Sequence, residues 1–79
     1  MTEPTKHVYH DHVVWSLDGK YHREDGPAII CSNGVLEWYR HGVLHREDGP
    51  ALEYTNANIS YTGWYLFGIM MTKQNYWKR

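Results

Sequence analysis

Apolar residues alternate with polar ones over short spans of this chain, and glycine falls between the spans. That spacing suits strands and turns better than amphipathic helices. Asp18-Gly19, Asn33-Gly34, His41-Gly42 and Phe67-Gly68 each interrupt such a span and read as two-residue hairpin loops. A type I′ turn needs positive φ at both central residues, which Asn-Gly and Asp-Gly reach most easily. Centred on Asn33-Gly34, the pairing opposes Ser32 to Val35, Cys31 to Leu36, Ile30 to Glu37 and Ile29 to Trp38. Strand period two then places Ile29, Cys31, Leu36 and Trp38 on one face, with Ala28, Ile30, Glu37 and Tyr39 opposite. The same construction opposes Trp15 to His22, Trp38 to His45, Glu37 to Arg46, and Trp64 to Met71.

Those pairs recur because the sequence repeats. Residues 15–28 and 38–51 agree at nine of fourteen positions, and His-Arg-Glu-Asp-Gly-Pro-Ala is identical at 22–28 and 45–51. A third copy begins at Trp64-Tyr65, but Met71 and Thr72 replace the His-Arg pair and no Asp-Gly-Pro-Ala follows. A divergent last copy is what an array needs, because the end unit must cap rather than stack. The extra residues before it fall where Thr55-Asn56-Ala57-Asn58 reads as a lengthened turn. Asp25-Gly26-Pro27 and Asp48-Gly49-Pro50 read as tight turns: Asp accepts a backbone hydrogen bond, Gly goes left-handed, Pro fixes φ. Thr72 is placed to N-cap a short helix over Lys73 to Lys78, docked by Tyr76 and Trp77. The expected fold is mainly β, an antiparallel meander of six to eight strands in repeated hairpins, with a short C-terminal helix. It forms one domain over 1–79, with repeats at about 13–34, 35–60 and 61–79 and a flexible stretch at 1–6.

Composition narrows the function. So short a chain buries only about 60% of its unfolded surface, and its single cysteine, Cys31, excludes an internal disulfide and fits a reducing cytoplasm. Aromatic residues make up 15% of the chain and can supply the missing core. Homodimerisation through a sheet edge or an aromatic face is expected for such a thin meander. The formal net charge of −1 suits neither a nucleic-acid binder nor an acidic DNA mimic. The N-terminus lacks the apolar core of a signal peptide, and Trp64 to Met71 is too short to span a bilayer, so a cytoplasmic protein is expected. Asn58-Ile59-Ser60 matches a glycosylation sequon that this location leaves unused.

The Trp-Tyr-x-x-Gly-x-x-His-Arg-x-Asp-Gly-Pro-Ala pattern at 38–51, with its variant at 15–28, resembles small repeat proteins of tailed bacteriophages. These are similar in turn to MORN-type repeats, and the resemblance covers residues 13–79. It implies a binding module that carries no catalytic residues. A phage accessory protein of this kind would act in the host cytoplasm, docking on a restriction or other antiviral protein, a BREX-type system being one candidate. A single-stranded nucleic-acid-binding protein, since aromatics on a sheet can stack bases, and a minor virion component are the alternatives.

The candidate residues sort by that reading. Trp15, His22, Asp25, Gly26, Pro27, Trp38, His45, Asp48, Gly49, Pro50 and Trp64 recur with the unit and read as structural. The two His-Arg-Glu-Asp runs hold groups suited to acid–base chemistry, but enzymes rarely duplicate an active site every 23 residues. No catalytic residue and no cofactor are assigned. His7, His10 and His12 form the one metal-like cluster, with no fixed fourth ligand in sight, and no metal is assigned either. Tyr39, Arg40, Tyr54, Tyr61 and Tyr65 are the candidate interface for a host protein.

Overall fold

The computed structural model describes residues 3–55 and 60–78. Among them the chain forms ten short strands: β1 (Thr5–Val8), β2 (His12–Leu17), β3 (Lys20–Tyr21), β4 (Ile29–Cys31), β5 (Val35–Glu37), β6 (Tyr39–Arg40), β7 (Val43–Leu44), β8 (Leu52–Thr55), β9 (Ser60–Leu66) and β10 (Ile69–Met71). A helix, α1 (Lys73–Lys78), follows. All strand pairs are antiparallel, and the main path runs β1-β2-β4-β5-β8-β9-β10, with β3 on β2 and a separate β6-β7 hairpin. This is the hairpin meander that the sequence predicts. Thr5 and Lys6, in the stretch expected to be flexible, pair with Ser16 and Trp15. The lengthened turn and the sequon fall largely on residues 56–59, outside the described residues.

The tryptophans mark where the sheet forks. In β2, His12–Val14 pair with β4, whereas Ser16 and Leu17 pair with β3. In β9, Ser60–Gly63 pair with β8, whereas Trp64–Leu66 pair with β10. β5 and β6, separated only by Trp38, do the same. Trp15 accordingly donates its amide to Ala28 on one arm (2.8 Å) and accepts from His22 on the other (3.1 Å); Trp38 does so with Ala51 and His45. The His-Arg-Glu-Asp-Gly-Pro segments bridge the gap. Consecutive hairpins also bond to each other, Gly42 N–H to Tyr21 and Gly68 N–H to Leu44.

Three turns take the expected form: Asp18, His41 and Phe67 sit at φ of 53°, 50° and 52°, each before a positive-φ glycine. They set Trp15 against His22, Trp38 against His45, and Trp64 against Met71, as predicted. Asn33-Gly34 departs. Only Gly34 has positive φ, its amide bonds to Cys31 (3.1 Å), and the Asn33 side chain accepts from Val35 N–H. The loop is therefore three residues long, a type I turn closed by a left-handed glycine. Register slips by one, giving Ile29↔Glu37 and Ile30↔Leu36. A one-residue slip exchanges faces, so Leu36 shares its face with Ile30 and the expected Ile29–Cys31–Leu36–Trp38 face does not form. Glu37 pairs with Ile29 and Leu52 rather than with Arg46, whose segment has left the strand.

The protein is thin, 35 × 33 × 16 Å. Among the described residues the buried side chains are few: Val14, Ala28, Ala51 and Tyr76, together with His22 and His45. Stability in so shallow a fold has to come from the contacts at the fork.

Candidate functional site

The duplicated segments build the same joint twice. The Arg23 guanidinium lies over the Trp15 ring at 3.8 Å, and that of Arg46 over Trp38 at 3.9 Å. Arg23 donates through Nε to Asp25 (3.1 Å) and through Nη1 to the Pro27 carbonyl (3.1 Å); Arg46 repeats both with Asp48 and Pro50. Arg46 also reaches Glu53 at 3.5 Å. The far side of each guanidinium rests on glycine, and a Cβ on Gly26 or Gly49 would come within 2.7 Å of the arginine Cζ. Neither glycine is left-handed. Absence of a side chain, not backbone freedom, is what these positions require. Asp25 and Asp48 likewise steady an arginine instead of accepting a backbone amide from the turn.

The histidines tie one repeat to the next. Nδ1 of His22 accepts the His41 amide, and Nδ1 of His45 accepts the Phe67 amide, both at 2.9 Å. Accepting there leaves the proton on Nε2, which points to Glu24 or Glu47 at 3.3 Å. Each ring also packs at a tilt on the turn residue it serves, His22 on His41 and His45 on Phe67, with centroids 4.4 Å apart. A buried imidazole that satisfies a backbone donor in a positive-φ turn offsets the strain of that turn. Both histidines are therefore engaged as braces.

The helix completes the third unit by other means. Thr72 Oγ1 accepts the Asn75 amide (3.1 Å), the expected N-cap. Tyr76 is fully buried, with its ring edge-on to Trp64 at 4.9 Å. Its hydroxyl donates to the Arg46 carbonyl and accepts the Gly49 amide (3.3 Å). Tyr76 thus packs on the tryptophan of the third unit, whose arginine position is held by Thr72. Trp77 also touches Trp64 (5.7 Å) yet is half exposed.

The five interface candidates do not share one environment. Tyr54 and Tyr61 are partly exposed partners across β8 and β9, rings 5.7 Å apart. Tyr39 is half-buried against Tyr21 at 5.3 Å, and its hydroxyl donates to Glu37 (2.9 Å). Burial, followed by the Glu37 carboxylate, pushes this phenol far above its usual range. Tyr65 packs over Gly63, and Arg40 is half-buried. More exposed apolar side chains lie elsewhere, at Phe67 (73%), Ile69 (67%) and Met70 (59%) beside one sheet edge and at Val8 (69%) on the edge strand β1, with Val43 exposed to a lesser degree. Phe67 and Val43 border one hollow, and Gly68 rests against Val43. An aromatic residue at a positive-φ turn position, followed by Ile69-Met70-Met71, was the sequence signal for this edge.

Around the N-terminal histidines, His7 reaches Ser16 Oγ (3.1 Å) and His12 pairs with Asp11 (2.6 Å) while stacking on Tyr9. The bond from His12 holds the Asp11 carboxyl below the usual carboxylate range. Among the described residues no three His, Cys, Asp or Glu side chains form a group able to hold a metal ion. Burial raises the Cys31 thiol, with the charges of Glu37 and Asp11 adding to it. Among the same residues no helix is long and apolar enough to cross a membrane. No protein-family model, curated protein or solved structure matches this chain.

Proposed function

We propose that the protein is a non-catalytic protein-binding module. The observation that carries this reading is how its side chains are allotted. The polar residues of both repeated segments are spent on the joints, while Phe67, Ile69, Met70 and Val43 stand exposed beside the sheet edge at β10. Exposed apolar clusters next to an unpaired strand favour protein association. Tyr54 and Tyr61 offer a second aromatic area of the kind enriched at interfaces.

The resemblance to tailed-phage repeat proteins extends the proposal. The chain is then a counter-defence inhibitor in the host cytoplasm, occupying the surface of a restriction or antiviral protein, with a BREX-type component as candidate. Balanced charge favours docking on protein over imitation of DNA. The β10 edge is also where a homodimer would form. Affinity capture from the host cell, with the wild-type chain and a Phe67→Ser/Ile69→Ser variant, tests the reading. One defence protein recovered in stoichiometric amount by the wild type and lost by a folded variant is the expected result. Recovery of nucleic acid without protein, or of no partner at all, would overturn it.

A further inference from the structure

Tyr76 shows what the space between successive repeats accepts. It enters between the second Arg-Glu-Asp-Gly segment and Trp64, and its hydroxyl satisfies the Arg46 carbonyl and the Gly49 amide together. One repeat earlier the corresponding space is open. A groove of about 520 Å³ lies there, lined by Arg23–Asp25, Trp38, Arg40 and His45–Asp48. Among the described residues no group hydrogen-bonds to the Arg23 carbonyl or the Gly26 amide, the counterparts of the pair that Tyr76 satisfies. Arg46 lies on Trp38 but spends its donors on Asp48, Pro50 and Glu53. Among the described residues, the tryptophan of this groove also carries the buried side-chain polar atom left without a partner, Nε1 of Trp38.

Charge narrows the occupant. Arg23 and Arg46 lie deep, their side chains 22% and 21% exposed, whereas those of Asp25 and Asp48 are 89% and 85% exposed. The rim therefore presents carboxylates, beside the half-buried Arg40. The helix that carries the internal occupant holds Lys73 and Lys78 and no acidic residue.

We infer that the groove over Trp38 is a binding site for a tyrosine side chain flanked by basic residues, presented by a partner protein. The phenol hydroxyl donates to the Arg23 carbonyl and accepts the Gly26 amide, while the ring lies against Arg46 and Trp38. This deepens the protein-binding reading and rests on it.

The test titrates the intact, ¹⁵N-labelled protein with an end-blocked peptide repeating residues 72–79, and with its Tyr76→Phe version. The expected result is saturable shifts of the Gly26 amide and the Trp38 indole N–H. Affinity should fall about five- to tenfold for the Phe peptide, as loss of a hydrogen bond implies, and fall again as ionic strength rises. Shifts confined to Gly49 and Trp64 would mean that the peptide only displaces the protein's own tail. That outcome, equal binding of the two peptides, or no saturation at millimolar peptide would overturn the proposal. A defence protein captured by a chain whose groove ignores the peptide would leave the protein-binding reading standing and end this one alone.

Discussion

Replacing Gly26 by alanine should be far more harmful than its backbone suggests. The residue does not sit at positive φ, so alanine is allowed there. Stiffening the unfolded chain would even favour folding by about 0.5 kcal/mol. The added methyl, however, would meet Arg23 at 2.7 Å from Cζ, 2.9 Å from Nη1 and 3.0 Å from Nε. Trp15 closes the other side at 3.8 Å, so the guanidinium must leave. Leaving forfeits the cation–π contact, about 1–2 kcal/mol when partly desolvated. It also forfeits the charged hydrogen bond to the Pro27 carbonyl, about 1.5 kcal/mol. The ion pair with exposed Asp25 adds little. The net cost is about 2–3 kcal/mol, or roughly 10–20 °C in Tm for a domain of this size. Urea and thermal denaturation followed by tryptophan fluorescence would measure it. The decisive comparison is a cycle with Arg23→Met, in which Gly26→Ala should cost less than about 0.5 kcal/mol because the clash has gone. An equal cost in both backgrounds would refute the account of the joint. Gly49→Ala with Arg46→Met should behave alike.

Other outcomes follow from the same geometry. Trp38→Ala should cost about 3–5 kcal/mol and unfold much of the population, while Trp77→Ala, which loses edge-on contacts from a half-exposed ring, should cost about 1–2 kcal/mol; matched urea titrations compare them. The Tyr39 phenol is held above the ordinary value near 10, so the folded chain keeps a proton that the unfolded chain loses. Its contribution is intact below about pH 10 and declines as pH rises beyond it. Tyr39→Phe should flatten that decline in urea midpoints taken across alkaline pH and remove the latest phase of the ultraviolet phenolate titration. With its thiol raised by burial, Cys31 should react with an aromatic disulfide reagent at pH 8 several-fold more slowly than it does in the urea-unfolded chain.

Much of the scaffold was legible because its signals are local. Asp18-Gly19 shows both positive-φ residues in the sequence, and the repeat extended the same turn to His41 and Phe67, which alone would be weak. Asn33-Gly34 carries the same signature, yet the Asn33 side chain and the Gly34 amide close a three-residue loop, and one residue was enough to exchange the faces of β4 and β5. Gly26 and Gly49 read as conformational glycines because a sequence displays turn chemistry but not what rests on a glycine from above. The seat of Tyr76 was the least accessible feature. The helix was visible from Thr72, but its hydroxyl partners lie 30 and 27 residues away, at Arg46 and Gly49. For the candidate-interface tyrosines the sequence shows neither the bond from Tyr39 to Glu37 of β5 nor the packing of Tyr65 over Gly63.

The claim beneath all of this is that the duplicated arginines are pinned between tryptophan and glycine. Nuclear magnetic resonance of the arginine Nε–H groups, with hydrogen exchange, reads that state directly. Arg23 and Arg46 should give two ring-current-shifted signals that exchange much more slowly than that of Arg40. Unshifted signals exchanging as fast as those of a free guanidinium would show the joints to be absent.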